Sequence, residues 1–177
     1  MGKSGWKWDF RSGGLVFRGA AKVSLDVKGR LVLPVRVRDQ LAQLGQTQLV
    51  ATADRDQCLL VYPVGVWQKL QDGLLNLPNL NSETRWLQRV MVGYATDLDI
   101  DGHGRVLIPA ELREFAGLQR DAMLLGQGNH LELWDEIAWK QGSIASIAPA
   151  LRSAAPATGL SEVKLSAGLP DAPPEQK

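Results

Sequence analysis

The chain carries the sequence DVKGRLVLP at residues 26–34 and repeats it 75 positions later as DGHGRVLIP at residues 101–109. The correspondence extends to Arg38 and Arg113. A repeat of this kind is interpreted first because it fixes the architecture. Each copy spans only about 45 residues, which is too few to enclose a hydrophobic core alone. We therefore expect the two copies to complete each other within one α+β fold.

Alternating polar and apolar residues predict a strand at the start of each copy, over 22–26 and 97–101. Gly29 and Gly104 then permit the backbone angles of a tight turn. A second short strand in each copy ends at a proline, which suits the first turn of a helix. The further strands are predicted at 30–33, 48–53, 58–62, 105–108, 122–126 and 131–134.

The segment between the copies is predicted to be helical, with Ser82 placed to cap the start of its second helix. Its apolar residues are interpreted as core or subunit packing, and not as a cofactor site. The residues expected to face inward are Val37, Leu41 and Leu44 in the first copy and Leu112, Phe115 and Ala116 in the second. The connector carries two apolar stripes, one of Trp67, Leu70 and Leu74 and one of Trp86, Leu87, Val90 and Met91.

The composition is that of an ordinary soluble globular protein, with 177 residues of which 45% are hydrophobic and 22% charged. No apolar run approaches the length that crosses a bilayer. The single Cys58 lies in an apolar run and cannot form an internal disulfide, which fits a reduced cytosolic protein. The sequence shows no spacing typical of a catalytic triad, a zinc site or a phosphate-binding loop. We therefore expect no enzyme activity, cofactor or small-molecule substrate.

A possible metal site has to be weighed, because Asp97, Asp99 and Asp101 match the first half of a calcium-binding loop. The twelfth position of that loop requires a glutamate, and here it is Ile108. The pattern is better interpreted as the solvent-exposed face of a strand that leads into a turn. A metal-binding module using these three carboxylates stays open as a minor alternative.

Charge is distributed unequally between the copies although the net charge is only +1. Residues 93–113 carry Arg105 and Arg113 against four acidic residues. Residues 18–38 carry six cations against Asp26 alone. Such a cluster favours contact with nucleic acid over ordinary solvated surface charge. The six cations are Arg18, Lys22, Lys28, Arg30, Arg36 and Arg38.

Six short motifs are spread along residues 16–147. They are Phe17-Arg18-Gly19, Asp26-x-Lys28-Gly29-Arg30-x-x-x-Pro34, Tyr62-Pro63-x-x-x-Trp67, Gly93-x-Ala95-Thr96, Asp101-x-x-Gly104-Arg105 and Leu133-Trp134-Asp135-x-x-x-Trp139. These motifs resemble those of the MraZ family, bacterial transcriptional regulators with two SpoVT-AbrB domains. The resemblance implies an AbrB-like swapped-hairpin (double-split) β-barrel with flanking helices, in which the two repeats interlace. It also implies a homo-oligomeric ring that binds tandem direct repeats of double-stranded DNA in the promoter of the division and cell-wall gene cluster. Such a protein would be cytoplasmic and nucleoid-associated.

The resemblance assigns the DNA-contacting arginine of the Asp-x-x-x-Arg motif to Arg30, with Lys28 beside it. Arginine suits this role because its fork fits guanine in the major groove. The other basic residues of the first copy, Arg18, Lys22, Arg36 and Arg38, are expected to position the DNA backbone. The remaining motif residues are expected to shape the turns, with Arg105 structural because its neighbours are acidic. These residues are Asp26, Gly29, Asp101, Gly104 and Arg105.

The resemblance and the repeats together divide the chain. We expect SpoVT-AbrB domains at 20–67 and 95–139, joined by a helical connector at 68–94. Residues 1–15 are expected to be a flexible extension, since family members usually begin near Val16. Residues 148–177 contain five prolines and are expected to be a disordered tail. An AbrB-type module that holds a partner protein through this tail, without binding DNA, is the alternative function.

Overall fold

A computed structural model describes residues 16–78 and 81–143. The expectations for the terminal segments 1–15 and 148–177 lie outside these residues. The chain divides into two compact units, residues 1–139 and 140–177, and the elements described below belong to the first unit except for the last helical turn. No helix in the described ranges is long and apolar enough to cross a membrane.

The two halves of the chain contain the same order of elements. The first half has strands β1 (Phe17–Ser24) and β2 (Arg30–Val32), helix α1 (Val35–Gln43), and strands β3 (Gln48–Ala53) and β4 (Leu59–Pro63). Helices α2 (Val64–Leu75) and α3 (Ser82–Met91) follow. The second half has β5 (Thr96–Asp99), β6 (Arg105–Leu107), α4 (Ala110–Phe115), β7 (Asp121–Gly128), β8 (Leu131–Asp135) and α5 (Glu136–Ala138), then a π-helical turn over Trp139–Ser143.

The repeats exchange their first strands. β1 of the first repeat pairs with β7 of the second, and β5 of the second pairs with β3 of the first, all antiparallel. The central pair, β4 with β8, joins equivalent strands of the two repeats. The result is a six-stranded sheet in the order β1-β7-β8-β4-β3-β5. This sheet is open, with β1 and β5 at its edges, so the α+β class is confirmed and the expected closed barrel is not.

The second strands of the repeats, β2 and β6, pair with each other as a separate two-stranded ribbon. Backbone hydrogen bonds extend this ribbon into both turns, because Leu33 N donates to Gly104 O and Ile108 N donates to Gly29 O, each at 2.9 Å. Each turn is thus bonded to the strand that the other repeat supplies.

Apolar side chains lie on both faces of the six-stranded sheet. On one face, Leu49 and Ala51 of β3 join a cluster that includes Leu31 and Val106 from beneath the ribbon. On the other face, Val50 of β3 joins a second cluster that contains residues of α2 and α3. Burial on both faces explains why every residue of β3 from Leu49 to Ala53 is buried and why the strand does not alternate between exposed and buried positions. Members of the second cluster include Tyr62, Trp67, Leu74 and Met91.

Two local predictions are wrong. The cap of α3 is Asn81, whose side chain accepts a hydrogen bond from Thr84 N at 2.6 Å, and Ser82 is the first helical residue. Leu44 is exposed, because α1 ends at Gln43 and Leu44 already belongs to the C-cap. Leu41, on the same predicted face, is fully buried. Both errors are of one residue at a helix end, where sequence periodicity is least informative.

Substitution of a turn glycine tests the packing of Arg38 against the turn of the other repeat. Gly104 has φ +71°, and a Cβ added there would overlap the side chain of Arg38 from the other repeat. We expect Gly104→Ala to lower the free energy of unfolding by about 1–2 kcal/mol, since the left-handed conformation disfavours a Cβ. Urea unfolding followed by tryptophan fluorescence measures the change.

Gly65→Ala is the matched control. Gly65 lies in α2 with open space around an added Cβ, so this variant is expected to be at least as stable as the parent. If Gly104→Ala also unfolds at the parent's urea concentration, the proposed contact between the turn and Arg38 is wrong.

Candidate nucleic-acid interface

An aspartate side chain organises the turn that precedes each ribbon strand. The Asp26 carboxylate accepts hydrogen bonds from the backbone N–H groups of Lys28 and Arg30, both at 2.9 Å, and from Arg30 Nε at 2.7 Å. In the second repeat Asp101 makes the same three contacts, with His103 and Arg105, at the same distances. The three bonds hold the turn and the arginine side chain in one arrangement.

The same contacts stabilise the charged form of each aspartate. Hydrogen bonding from the Arg30 backbone, followed by that from its side chain, lowers the pKa of Asp26 below its ordinary value. The equivalent contacts from Arg105 lower the pKa of Asp101 to about 2. Both carboxylates are therefore ionised at neutral pH and pair with their arginines.

The pairing leaves part of each guanidinium available. The bond from Arg30 to Asp26 uses Nε, and among the residues that the structure describes neither Nη atom of Arg30 makes a hydrogen bond. The Arg30 side chain is 35% exposed, and that of Arg105 is 32% exposed. An arginine that is held at Nε presents its two terminal nitrogens in a fixed orientation, which suits bidentate recognition of a planar acceptor pair.

The ribbon brings the two arginines onto one face. Alternation along β2 and β6 turns Leu31 and Val106 inward, where both are 2% exposed. The residues on either side of them, Arg30 with Val32 and Arg105 with Leu107, share the outer face. The outer face of the ribbon, defined here as Arg30, Val32, Arg105 and Leu107, is therefore built equally from both repeats.

An open groove beside this face collects more cations than the sequence predicted. Arg113 and Arg120 line it together with Arg30 and Arg105, and Asp26 is the one acidic residue of its lining. The charge count over residues 93–113 indicated an acidic second repeat, and Arg120 lies outside those residues. Only strand exchange reveals it, because Leu25 N at the end of β1 donates to Arg120 O at 2.7 Å.

The other exposed residues predicted to contact DNA lie in two separate places. Lys28 is exposed in the turn next to Arg30. Arg18 and Arg36 are exposed and line a hollow between β1 and α1, separate from the groove. The geometry thus brings Lys28 and Arg30 together, and it sets Arg18 and Arg36 apart from them. Their contact with DNA stays a prediction.

Two of the predicted cations are engaged within the protein. Lys22 Nζ lies 3.1 Å from Glu136 Oε2, and hydrogen bonding to Glu136 raises the pKa of Lys22. Arg38 is half-buried against Gly104, and its buried Nε has no hydrogen-bond partner within the described ranges. Its counterpart Arg113 packs on Gly29, and the Nε of Arg113 donates a hydrogen bond to Ile108 O at 3.1 Å. These positions indicate packing roles alongside any contact with DNA.

The acidic residues of the second repeat lie on a different element from Arg105. Asp97 and Asp99 are exposed on the edge strand β5, where Asp99 accepts a hydrogen bond from Gln48 Nε2 at 2.7 Å. Asp101 is engaged in its own turn. The part of the chain that the structure describes holds no group of three or more side chains suited to a metal ion. Of the four acidic residues in the window, Asp97 and Asp99 therefore lie at the sheet edge, Glu111 lies in α4, and Asp101 belongs to the turn that carries Arg105.

Comparison with known proteins finds two successive matches to one family along the chain. A family model described as "MraZ protein, putative antitoxin-like" matches residues 16–90 and again residues 91–158. The chain belongs to the MraZ family. Proteins named "Transcriptional regulator MraZ" are similar over most of the chain. The one from Pseudomonas aeruginosa (strain LESB58) is 46% identical over 157 residues, which cover 88% of this chain and 95% of its own length.

Two further relatives carry the same printed name. The protein from Pseudomonas putida (strain F1) is 50% identical over 134 residues, covering 75% of this chain and 89% of its own. The protein from Thioalkalivibrio sulfidiphilus is 48% identical over 124 residues, covering 70% and 83% respectively. Each of the two MraZ-model matches contains one Asp–Arg turn, so the duplication seen in the sequence belongs to the family pattern.

The hydrogen bonds to Asp101 should make the stability of the fold depend on pH. Because the folded-state pKa is lowered, the ionised carboxylate contributes stability above its ordinary pKa of 3.8, and this contribution is lost as pH falls towards 2. Asp101→Asn should therefore unfold at a lower temperature than the parent at pH 7, with the difference shrinking between pH 4 and pH 2. Circular dichroism melts measure both curves.

The control is Asp97→Asn on the edge strand β5, where the exposed side chain of Asp97 makes no hydrogen bond to the described residues. Its melting temperature should follow that of the parent at every pH. A constant difference between Asp101→Asn and the parent down to pH 2 would show that the ionised carboxylate is not what holds the turn.

Proposed function

We propose that this MraZ-family chain is a transcriptional regulator that binds double-stranded DNA through the outer face of the ribbon. The observation that carries the proposal is the geometry of Arg30, fixed at Nε by Asp26 with its terminal nitrogens directed to an exposed surface. The relatives' printed name supports the role in transcription. A two-stranded ribbon has the width that the major groove admits, and Arg30 would read a guanine there.

The surrounding cations supply the electrostatic part of the binding. Lys28 lies next to Arg30 and would contact phosphate, as would the groove residue Arg120. Arg113 would contribute less, because it packs on Gly29 and donates a hydrogen bond to Ile108 O. Arg18 and Arg36, from the hollow between β1 and α1, would extend the contact along the backbone. Lys22 and Arg38 would contribute less, because their side chains already pair with Glu136 or pack on Gly104.

Each such surface is small, so high affinity requires several of them. We propose that copies of the chain assemble head to tail into a ring and engage tandem direct repeats of the promoter of the division and cell-wall gene cluster. A head-to-tail interface presents identical surfaces in the same orientation, which matches direct repeats, whereas a two-fold dimer matches palindromes. Engagement of several weak surfaces then multiplies the affinity.

A protein-interaction module without DNA binding is the second candidate function. Some AbrB-type folds would serve this purpose, with residues 148–177 as the segment that holds the partner. The two candidates differ in the salt dependence of DNA binding, since contact with phosphates releases counterions and the protein-interaction module makes no such contact.

Replacement of Arg30 tests the proposed function. Arg30→Ala is expected to weaken binding to a duplex from the chain's own upstream region by about tenfold or more, because a bidentate base contact contributes roughly 1–3 kcal/mol. Fold and oligomer should be kept. Fluorescence anisotropy at two salt concentrations measures the affinity, and light scattering measures the mass.

Arg89→Ala provides a control of equal charge. Arg89 is exposed in the last turn of α3, outside the ribbon and the groove. This variant should bind the duplex as the parent does. If Arg30→Ala and the parent bind the duplex with equal affinity, Arg30 is not part of the interface. If the parent shows no salt-sensitive binding to the duplex, the protein-interaction module is favoured.

A further inference from the structure

The outer face of the ribbon carries two aliphatic side chains that the proposed function has not used. Val32 is 53% exposed and Leu107 is 54% exposed. The strand register places each directly opposite an arginine, Val32 opposite Arg105 and Leu107 opposite Arg30. The face therefore alternates between an arginine and an aliphatic residue in both directions.

Single exposed aliphatic residues are common on protein surfaces and by themselves indicate nothing. This pair differs because Val32 and Leu107 are equivalent positions of the two repeats, 75 residues apart. Each repeat thus places one branched aliphatic side chain two positions after the arginine of its Asp–Arg turn. The inner position between them is filled by Leu31 or Val106, so core packing does not require a further apolar residue outside.

The chemistry of the major groove gives this alternation a ligand. Guanine presents two acceptors that match arginine, and thymine presents a 5-methyl group that matches an aliphatic side chain. Side chains directly opposite in a ribbon have Cβ atoms about 5 Å apart, and successive base pairs are about 3.4 Å apart. An aliphatic side chain beside a guanine-reading arginine therefore reaches a base one or two pairs away.

We propose that Val32 and Leu107 contact thymine 5-methyl groups in the major groove, and so determine sequence specificity next to the arginines. The proposal rests on the proposed DNA-binding function and deepens it. Double-stranded DNA is the proposed ligand of this face because arginines flank both aliphatic residues, and the surrounding cations complement the phosphate backbone. A second copy of the chain seated on the same face is the competing occupant.

Replacement of thymine by uracil removes the methyl group and leaves base pairing unchanged. In a duplex shortened to the footprint of the parent protein, each thymine is replaced in turn and the affinity is measured by anisotropy. At two positions the parent should lose about fourfold in affinity, which corresponds to the burial of one methyl group at each. At the other positions its affinity should be unchanged.

Protein variants then connect each methyl group to a side chain. Leu107→Ala should bind the thymine duplex less tightly by a similar factor, and should no longer respond to uracil at one of the sensitive positions. Val32→Ala should do the same at the other sensitive position. Leu75→Ala, a leucine on α2 that is 56% exposed, is the matched control and should keep the full response at both positions.

The outcomes separate this inference from the function on which it rests. If the parent binds every uracil duplex as tightly as the thymine duplex, the inference is overturned while DNA binding stands. If the parent shows no salt-sensitive binding at all, both fail. If Leu107→Ala or Val32→Ala changes the particle mass in light scattering and keeps its response to uracil, the face is a contact between subunits and the inference is overturned. The uracil series on the parent needs no variant, so it remains decisive if a variant fails to fold.

Discussion

Neither repeat of this chain completes its own sheet, and every other feature of the structure follows from that constraint. The first strand of each repeat pairs with the third strand of the other, across β1–β7 and β5–β3. A unit of this size cannot enclose a core, and the exchange gives both units one shared core beneath the ribbon. The unpaired edges that a single repeat would expose are reduced to two in the six-stranded sheet.

The candidate interface is a product of the same exchange. The outer face of the ribbon exists only because β2 and β6 come from different repeats, and each turn is bonded through Gly29 or Gly104 to the strand of the other repeat. An arginine from the opposite repeat lies on each of these glycines. Arg30 is consequently held by its own turn and supported by residues that are distant in sequence. This arrangement presents a charged side chain rigidly without burying its terminal nitrogens.

Local structure was predictable from the sequence, and the site was predictable only in part. Alternation indicated the first strand of each repeat, and β3 lies at Gln48–Ala53 as predicted. The family resemblance and the surplus of cations in the first copy directed attention to Arg30. The sequence pattern did not reveal the register that places Val32 opposite Arg105, nor the strand exchange that brings Arg120 to the groove. Both depend on pairing between residues far apart in the chain, which no local periodicity reports.

Amide hydrogen exchange, with and without a duplex from the chain's upstream region, tests most directly whether the shared ribbon is the surface that meets DNA. The account predicts slower exchange in both 26–33 and 101–108 when the duplex is bound, with α2 at Val64–Leu75 unchanged. Protection in both repeats is the essential result, since the ribbon is built from both. Slower exchange confined to α2 and α3, with both ribbon segments unaffected, would contradict the account.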